Sequence, residues 1–174
     1  MVLSFSGIAL AGCKQRPAGF SRSAEAAVAT GEIGSHLPEF AVNDLQGREI
    51  LSADLLGNVV LIDFWATWCQ PCKKEMPGYQ TLLHRYGPRG FVVVGFKFDT
   101  MADAEDPLIF AYRIGVHYTL AVAPDDLKQK FGGIEGLPTT MLYDRQGILR
   151  KKVIGFEYTE TFESAVKQLL SIPE

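Results

Sequence analysis

The sequence predicts an α/β domain: a central mixed β-sheet flanked by helices, with a β-hairpin added on its N-terminal side. Three observations lead there. Residues 59–65 and 91–96 are nearly unbroken apolar runs of strand length, as expected of central strands buried on both faces. Segments with helix-start and helix-stop residues alternate with the strand-like runs, so the chain reads strand–helix–strand–helix–strand–strand–helix. A polar turn between two late strand-like runs supplies an antiparallel pair.

Each element has a local cause. Residues 39–42 and 48–51 are short extended runs around the polar turn Asn43-Asp44-Leu45-Gln46-Gly47, which reads as a hairpin. Ser52 is expected to cap a brief helical turn through Leu56, ended by Gly57. After the strand at 59–65, a helix is expected from about Cys69 to Tyr86, stopped by Gly87-Pro88. Pro77 falls inside it, where it removes one backbone hydrogen bond and should kink the axis. Beyond the strand at 91–96, Asp106 reads as a cap with Pro107 at the first helical position, so 107–114 reads as helix. Residues 119–122 are short and extended, and 125–131 make a helical turn or two, stopped by Gly132-Gly133. Runs 139–143 and 149–154 flank Asp144-Arg145-Gln146-Gly147, a second hairpin. Thr159 then opens a last helix in which Phe162, Val166, Leu169 and Leu170 share one face.

At 174 residues the chain holds one ordinary domain with some excess, long enough to bury a real core. A net charge of −3 offers no basic field for nucleic acid, so no nucleic-acid partner is expected. No run of eighteen apolar residues exists that would form a transmembrane helix. His36, His84 and His117 stand singly, none at ligand spacing from another, so no metal site is expected.

The chemistry sits in Trp68-Cys69-Gln70-Pro71-Cys72, placed between a buried strand and a helix start. Two cysteines at this spacing can close a small disulfide or present two thiols. The amides at the helix N-terminus and the helix dipole favour thiolate over thiol at the first sulfur, and the thiolate is the species that attacks disulfides. The pentapeptide therefore reads as a redox centre.

The third cysteine has a different setting. Cys13 ends Leu10-Ala11-Gly12-Cys13 after an apolar stretch that begins at Met1. Residues 1–12 read as a signal peptide of lipoprotein type, the tetrapeptide resembling a bacterial lipobox whose cysteine is lipidated. No Lys or Arg precedes the apolar run, which a start placed slightly too late would explain. Residues 13–31 carry little large apolar content and read as a flexible tether, leaving 32–174 as the folded domain.

Residues 65–77, Trp-Ala-Thr-Trp-Cys-Gln-Pro-Cys-Lys-Lys-Glu-Met-Pro, resemble the active-site segment of the thioredoxin superfamily. More narrowly they resemble the TlpA/ResA-like branch of membrane-tethered bacterial thiol-disulfide oxidoreductases. Gly34-Ser35-His36-Leu37-Pro38-Glu39-Phe40 is similar to the N-terminal motif of that branch, and Gly136-Leu137-Pro138-Thr139-Thr140 to its proline loop. The resemblance covers about residues 32–172 and implies a thioredoxin-like fold. It also implies that Cys69 is the exposed attacking sulfur and Cys72 the resolving thiol. Pro71, lacking an N–H, would preset helical geometry between them. Leu137-Pro138 would carry a cis bond beside the disulfide and leave the Leu137 backbone to pair with a substrate strand.

Two acids follow from the same comparison. Asp63 stands alone on an otherwise apolar strand, so its pKa should rise and let it take the proton from Cys72. Thioredoxin proper has an acid there, whereas the ResA-like branch more often has a neutral residue. Glu75 matches the acid that the branch uses near its active site. Having both departs from either pattern, and one of them, Glu75 beside Lys73 or Lys74, could be a solvated bystander. Trp68 is expected to form the apolar collar where a partner docks, while Trp65 has core packing as its plain alternative.

Gln70-Pro71 places neither His nor charge between the sulfurs, which favours the reducing end of the family. The resemblance then implies a monomeric extracytoplasmic lipoprotein, on the periplasmic side in a Gram-negative cell and anchored through Cys13. It would reduce protein disulfides, those of apocytochrome c or related maturation clients above all. A membrane thiol donor would supply its electrons, and no cofactor beyond the cysteine pair is expected. Two other readings stand beside it. A peroxiredoxin-like thiol peroxidase would usually carry Thr or Ser three residues before the attacking cysteine, where this chain has Ala66. A copper-binding or metal-delivery module would need a histidine at local ligand spacing.

Overall fold

The computed structural model describes residues 31–98 and 105–171. The chain enters through a small antiparallel hairpin of β1 (Ala41–Asn43) and β2 (Glu49–Leu51), followed by the single helical turn α1 (Ser52–Leu55). Ser52 does not cap that turn. Its hydroxyl accepts from the Phe40 N–H at 3.0 Å, tying the incoming chain to the hairpin, and the cap position falls to Leu51. A side chain that can satisfy a buried amide across the hairpin is worth more there than at the end of a one-turn helix.

The remaining elements are β3 (Val59–Trp65), α2 (Gln70–Tyr86), β4 (Phe91–Phe98), α3 (Pro107–Arg113), β5 (Thr119–Ala123), α4 (Asp125–Lys130), β6 (Thr139–Tyr143), β7 (Leu149–Ile154) and α5 (Thr159–Ser171). A 3-10 turn at Gly87–Arg89 ends α2, and Asp106 caps α3 by accepting from the Leu108 and Ile109 amides. The five-stranded sheet has the order β5-β4-β3-β6-β7, with β3, β4 and β5 parallel and β6 and β7 antiparallel. This is the thioredoxin-like arrangement expected. The hairpin docks at the β5 edge through a bridge between Asp44 and Ala121 and through the Leu45 N–H bonding the Leu120 carbonyl.

The sheet is covered on both faces, which is why β3 is apolar throughout. Val59, Leu61 and Trp65 point to the layer holding α2, α3 and α5, with Met76, Tyr79, Phe110 and Phe162. Val60, Ile62 and Phe64 point to the other layer, built on Phe40, Leu55, Leu127 and a cluster of rings around Phe131. Asp63 shares the α2 face with Leu61 and Trp65 by strand alternation. Helix α2 runs unbroken through Pro77, and the residue after it explains the local packing. A Cβ on Gly78 would lie 1.9 Å from Thr159 Oγ1, so α5 begins against α2 at a position only glycine leaves open. Residues 1–30, which include the expected leader, Cys13 and most of the tether, lie outside the described residues.

Candidate active site

The end of β3 delivers the chain directly into α2, and the first turn of that helix holds the cysteines. Cys69 and Cys72 are joined as a disulfide, their Cα atoms 5.3 Å apart. Cys69 is the N-cap of α2, its sulfur accepting from the Cys72 N–H at 3.3 Å, and Pro71 sits in the first turn, where no N–H is needed. Cys69 is only 3% exposed and Cys72 is fully buried. The sequence-based expectation of an exposed Cys69 is corrected for this oxidised form, in which the sulfur is bonded to Cys72 Sγ and accepts from the Cys72 amide.

Trp68, by contrast, is 48% exposed, while Trp65 is buried and stacked on Phe110 with ring centroids 5.4 Å apart. The two tryptophans thus divide the two roles weighed for them. The Leu137-Pro138 peptide bond is cis, with Leu137 half-buried against the layer that holds the disulfide. The Pro138 carbonyl accepts from the Gly155 N–H at 2.8 Å, which ties the proline loop to the loop between β7 and α5. That second loop carries the exposed rings of Phe156 and Tyr158.

Both acids lie in the layer between the sheet and α2 that also holds the disulfide, Asp63 on β3 and Glu75 one helical turn after Cys72. Asp63 is fully buried and Glu75 is 1% exposed, so neither is a solvated bystander, and Glu75 is not an exposed partner of Lys73 or Lys74. Helical spacing explains the correction: Glu75 and Met76 follow Cys72 on the inward face of α2, together with Tyr79. One Glu75 oxygen accepts from the Glu157 N–H at 3.4 Å, and the carboxyl also faces Tyr79 and Thr140, whose hydroxyls are 3.1 Å apart. Asp63 Oδ2 accepts from the Tyr118 hydroxyl at 3.4 Å. Asp63 Oδ1 and Glu75 Oε1 have no hydrogen-bond partner among the described residues.

Burial without full pairing makes both carboxyls reluctant to ionise. Desolvation pushes Asp63 up to about 7, with the Tyr118 hydrogen bond opposing the rise. Desolvation and then the charge of Asp63 push Glu75 up to about 8, and the Glu157 amide opposes. The two acids are close enough to feel each other and titrate as a pair. Asp63 is therefore not the lone acid that its strand suggested. Such a site can hold a proton near neutrality beside a thiol pair that must lose one.

Tyr118, Thr140 and Glu157 were missed from the sequence because they reach the acids from other elements, Tyr118 and Glu157 across 55 and 82 residues of chain, and Tyr79, one turn after Glu75 on α2, was missed with the inward turn of that face. One local signal pointed the same way. Gly95 interrupts the apolar strand β4, and a glycine inside a strand often marks a close approach.

Comparison with known proteins supports the same chemistry. Residues 33–152 match the model of the AhpC/TSA family. The thiol-disulfide oxidoreductase ResA of Bacillus thuringiensis is 34% identical over 143 residues, covering 79% of each chain. ResA of Geobacillus thermodenitrificans is 33% identical over 80% of this chain and 78% of its own. Among solved structures, a thiol:disulfide interchange protein of the thioredoxin family from Chlorobium tepidum superposes with a TM-score of 0.72. It is 27% identical and covers 79% of this chain and 97% of its own.

Proposed function

The chain belongs to the AhpC/TSA family and, within it, to the ResA-like thiol-disulfide oxidoreductases of the thioredoxin superfamily, and on that premise we propose that it is an extracytoplasmic reductase of specific protein disulfides. The observation that carries this reading is a Cys69–Cys72 disulfide at the N-terminus of α2, in the same buried layer as a pair of acids. In the reduced enzyme the Cys69 thiolate attacks one sulfur of a client disulfide. A mixed disulfide forms, and the other client sulfur leaves as a thiolate. Asp63 takes the proton of the Cys72 thiol, and the Cys72 sulfur attacks Cys69 Sγ. The second client sulfur leaves, the client has gained two electrons, and the enzyme disulfide is restored. Glu75 tunes the proton affinity of Asp63.

Trp68, Pro71, Leu137 and Pro138 form the docking rim, on which a client segment lies extended. The client class is a cysteine pair of the Cys-x-x-Cys-His type in an apocytochrome c, and a membrane thiol donor recharges the enzyme. Residues 1–12 act as leader, Cys13 as the lipid anchor on the periplasmic side, and 13–31 as tether to a monomeric domain at 32–174. Cys13→Ala should move the full chain from the detergent phase to the aqueous phase, and equal aqueous partitioning of both forms would remove the anchor.

The decisive experiment is to trap the intermediate with Cys72→Ser, which should accumulate a mixed disulfide between Cys69 and a client bearing that motif. No adduct with such a client, in a variant that still reacts with small disulfides, would refute the client class. A reduction potential near about −270 mV would mark a reductant, and one near about −120 mV an oxidant. The AhpC/TSA match gives peroxide reduction a specific claim as a second reading. Turnover of hydrogen peroxide faster than exchange with a protein disulfide would favour it. Among the described residues no group of three or more His, Cys, Asp or Glu is placed to hold a metal ion.

A further inference from the structure

Asp63 uses its two oxygens differently, and the reason lies two strands away. Asp63 on β3 is level with Gly95 on β4, and Gly95 is level with Leu120 on β5. Tyr118 lies two residues before Leu120 and so points to the same face of the sheet. A tyrosine rooted at β5 reaches a side chain on β3 only if nothing rises from the strand between them. Gly95 is that gap. A Cβ there would stand 2.6 Å from Leu120 Cδ2, 3.0 Å from Tyr118 Cε2 and 3.1 Å from Trp65 Nε1. The Tyr118 ring therefore crosses β4 over bare backbone, and its hydroxyl donates to Asp63 Oδ2 at 3.4 Å. Asp63 Oδ1 is left without a partner among the described residues.

We propose that Tyr118 is a positioning residue for the reaction: carried over Gly95, its hydroxyl holds Asp63 Oδ2 and leaves the unpartnered Oδ1 as the oxygen that receives a proton. The inference rests on the reading of Asp63 as proton acceptor. The proton leaves the Cys72 sulfur and arrives at Asp63 Oδ1, and Tyr118 keeps its own. At 3.4 Å the contact is longer than the 2.5–3.0 Å of a full O–H···O bond, and a hydroxyl donating to an ionised carboxylate belongs to the stronger, charge-assisted class. Tyr118 is the donor that the structure gives Asp63, while Trp65 Nε1, buried on the same face, has no hydrogen-bond partner among the described residues and Thr140 lies opposite Asp63 on β6. Glu75 on α2 carries the same sign of charge, Tyr79 on α2 bonds Thr140 of β6, and the α5 side of the layer is apolar at Phe162 and Val166. Lys97, buried two residues along β4, gives its ammonium to the Phe98 carbonyl. The Cys69–Cys72 pair carries no charge in the disulfide form.

The test is the pH dependence of the resolving step in wild type, Tyr118→Phe, Asp63→Asn and the double variant. Release of the second client thiol from a preformed Cys69 mixed disulfide is timed in the full chain. Phe keeps the ring and the packing and removes only the hydroxyl. Tyr118→Phe should raise the midpoint of the profile by about one pH unit, a roughly tenfold slower step below the midpoint. In the Asp63→Asn background it should change nothing. The Asp63 carboxyl carbon resonance in the oxidised protein gives a second readout, which should titrate at higher pH in Tyr118→Phe. If Tyr118→Phe leaves the midpoint and the resonance in place while Asp63→Asn removes the inflection, Tyr118 is a packing residue and the Asp63 assignment stands. An equal slowing at every pH, with or without Asp63, also overturns the proposal. A profile unchanged by Asp63→Asn overturns the Asp63 assignment and the role of Tyr118 with it.

Discussion

Replacing Asp63 with asparagine should make the oxidised protein more stable at alkaline pH while leaving it little changed in acid. Both buried carboxyls bind a proton more tightly folded than unfolded. Their contribution to stability is therefore complete below the unfolded value and is lost as pH rises through the folded value. For Asp63 the window runs from its ordinary 3.8 to about 7. That interval is about three pH units, and at about 1.4 kcal/mol per unit it amounts to a loss of roughly 4 kcal/mol from this one group. The figure is a ceiling, since water entry and relaxation around a buried carboxylate reduce it. Asparagine keeps the shape and cannot ionise. Any penalty for burying its amide is the same at every pH, so the informative quantity is the change in the mutant-minus-wild-type difference between acid and alkaline solution. Urea unfolding of the oxidised proteins, with matched m-values, measures it. A gain on going from acid to alkaline pH is expected, of up to about 4 kcal/mol, with the rise falling between about pH 4 and about pH 7. A difference that is the same at both ends would refute the burial argument, because it would mean that Asp63 titrates alike in the folded and unfolded chains.

Glu75 is pushed up to about 8 partly by the charge of Asp63, so the pair should release two protons in overlapping steps around neutrality. Glu75→Gln should reduce this to one proton, seen by carboxyl carbon NMR of the oxidised protein, and two remaining steps would show that another group had been mistaken for Glu75. Phe131→Ala should destabilise by about 3–5 kcal/mol, since Phe131 is fully buried against Phe40, Phe64, Phe96 and Tyr143. Because that cluster lies on the sheet face away from the disulfide, the exchange rate of folded Phe131→Ala should match wild type. A slowed exchange in the folded variant would show that the two layers are mechanically linked.

What the sequence determined by itself was local and periodic. The apolar run of β3, the proline in the first turn of α2, the Asp106 cap and the polar turn at 144–147 each impose their own geometry over a few residues. The cysteine pair followed from the same kind of signal, since two residues of one helical turn need no long-range information to meet. The burial of Glu75 required the tertiary fold. A helix position three residues after Cys72 can face solvent or core, and only the packing of α2 on the sheet and α5 against Gly78 turned it inward. The burial of Cys69 has a related reason, since in the oxidised form its sulfur is bonded to Cys72 and sits in the core layer under α2. Asp63 read as solitary because its neighbours are on other elements: Glu75 on α2, Tyr118 ahead of β5, and an empty place at Gly95 between them. Pairing across parallel strands is set by crossovers through helices, and nothing in the residues flanking Asp63 encodes that register. The sequence thus specified a thiol redox centre, and the sheet register decided which groups control its proton.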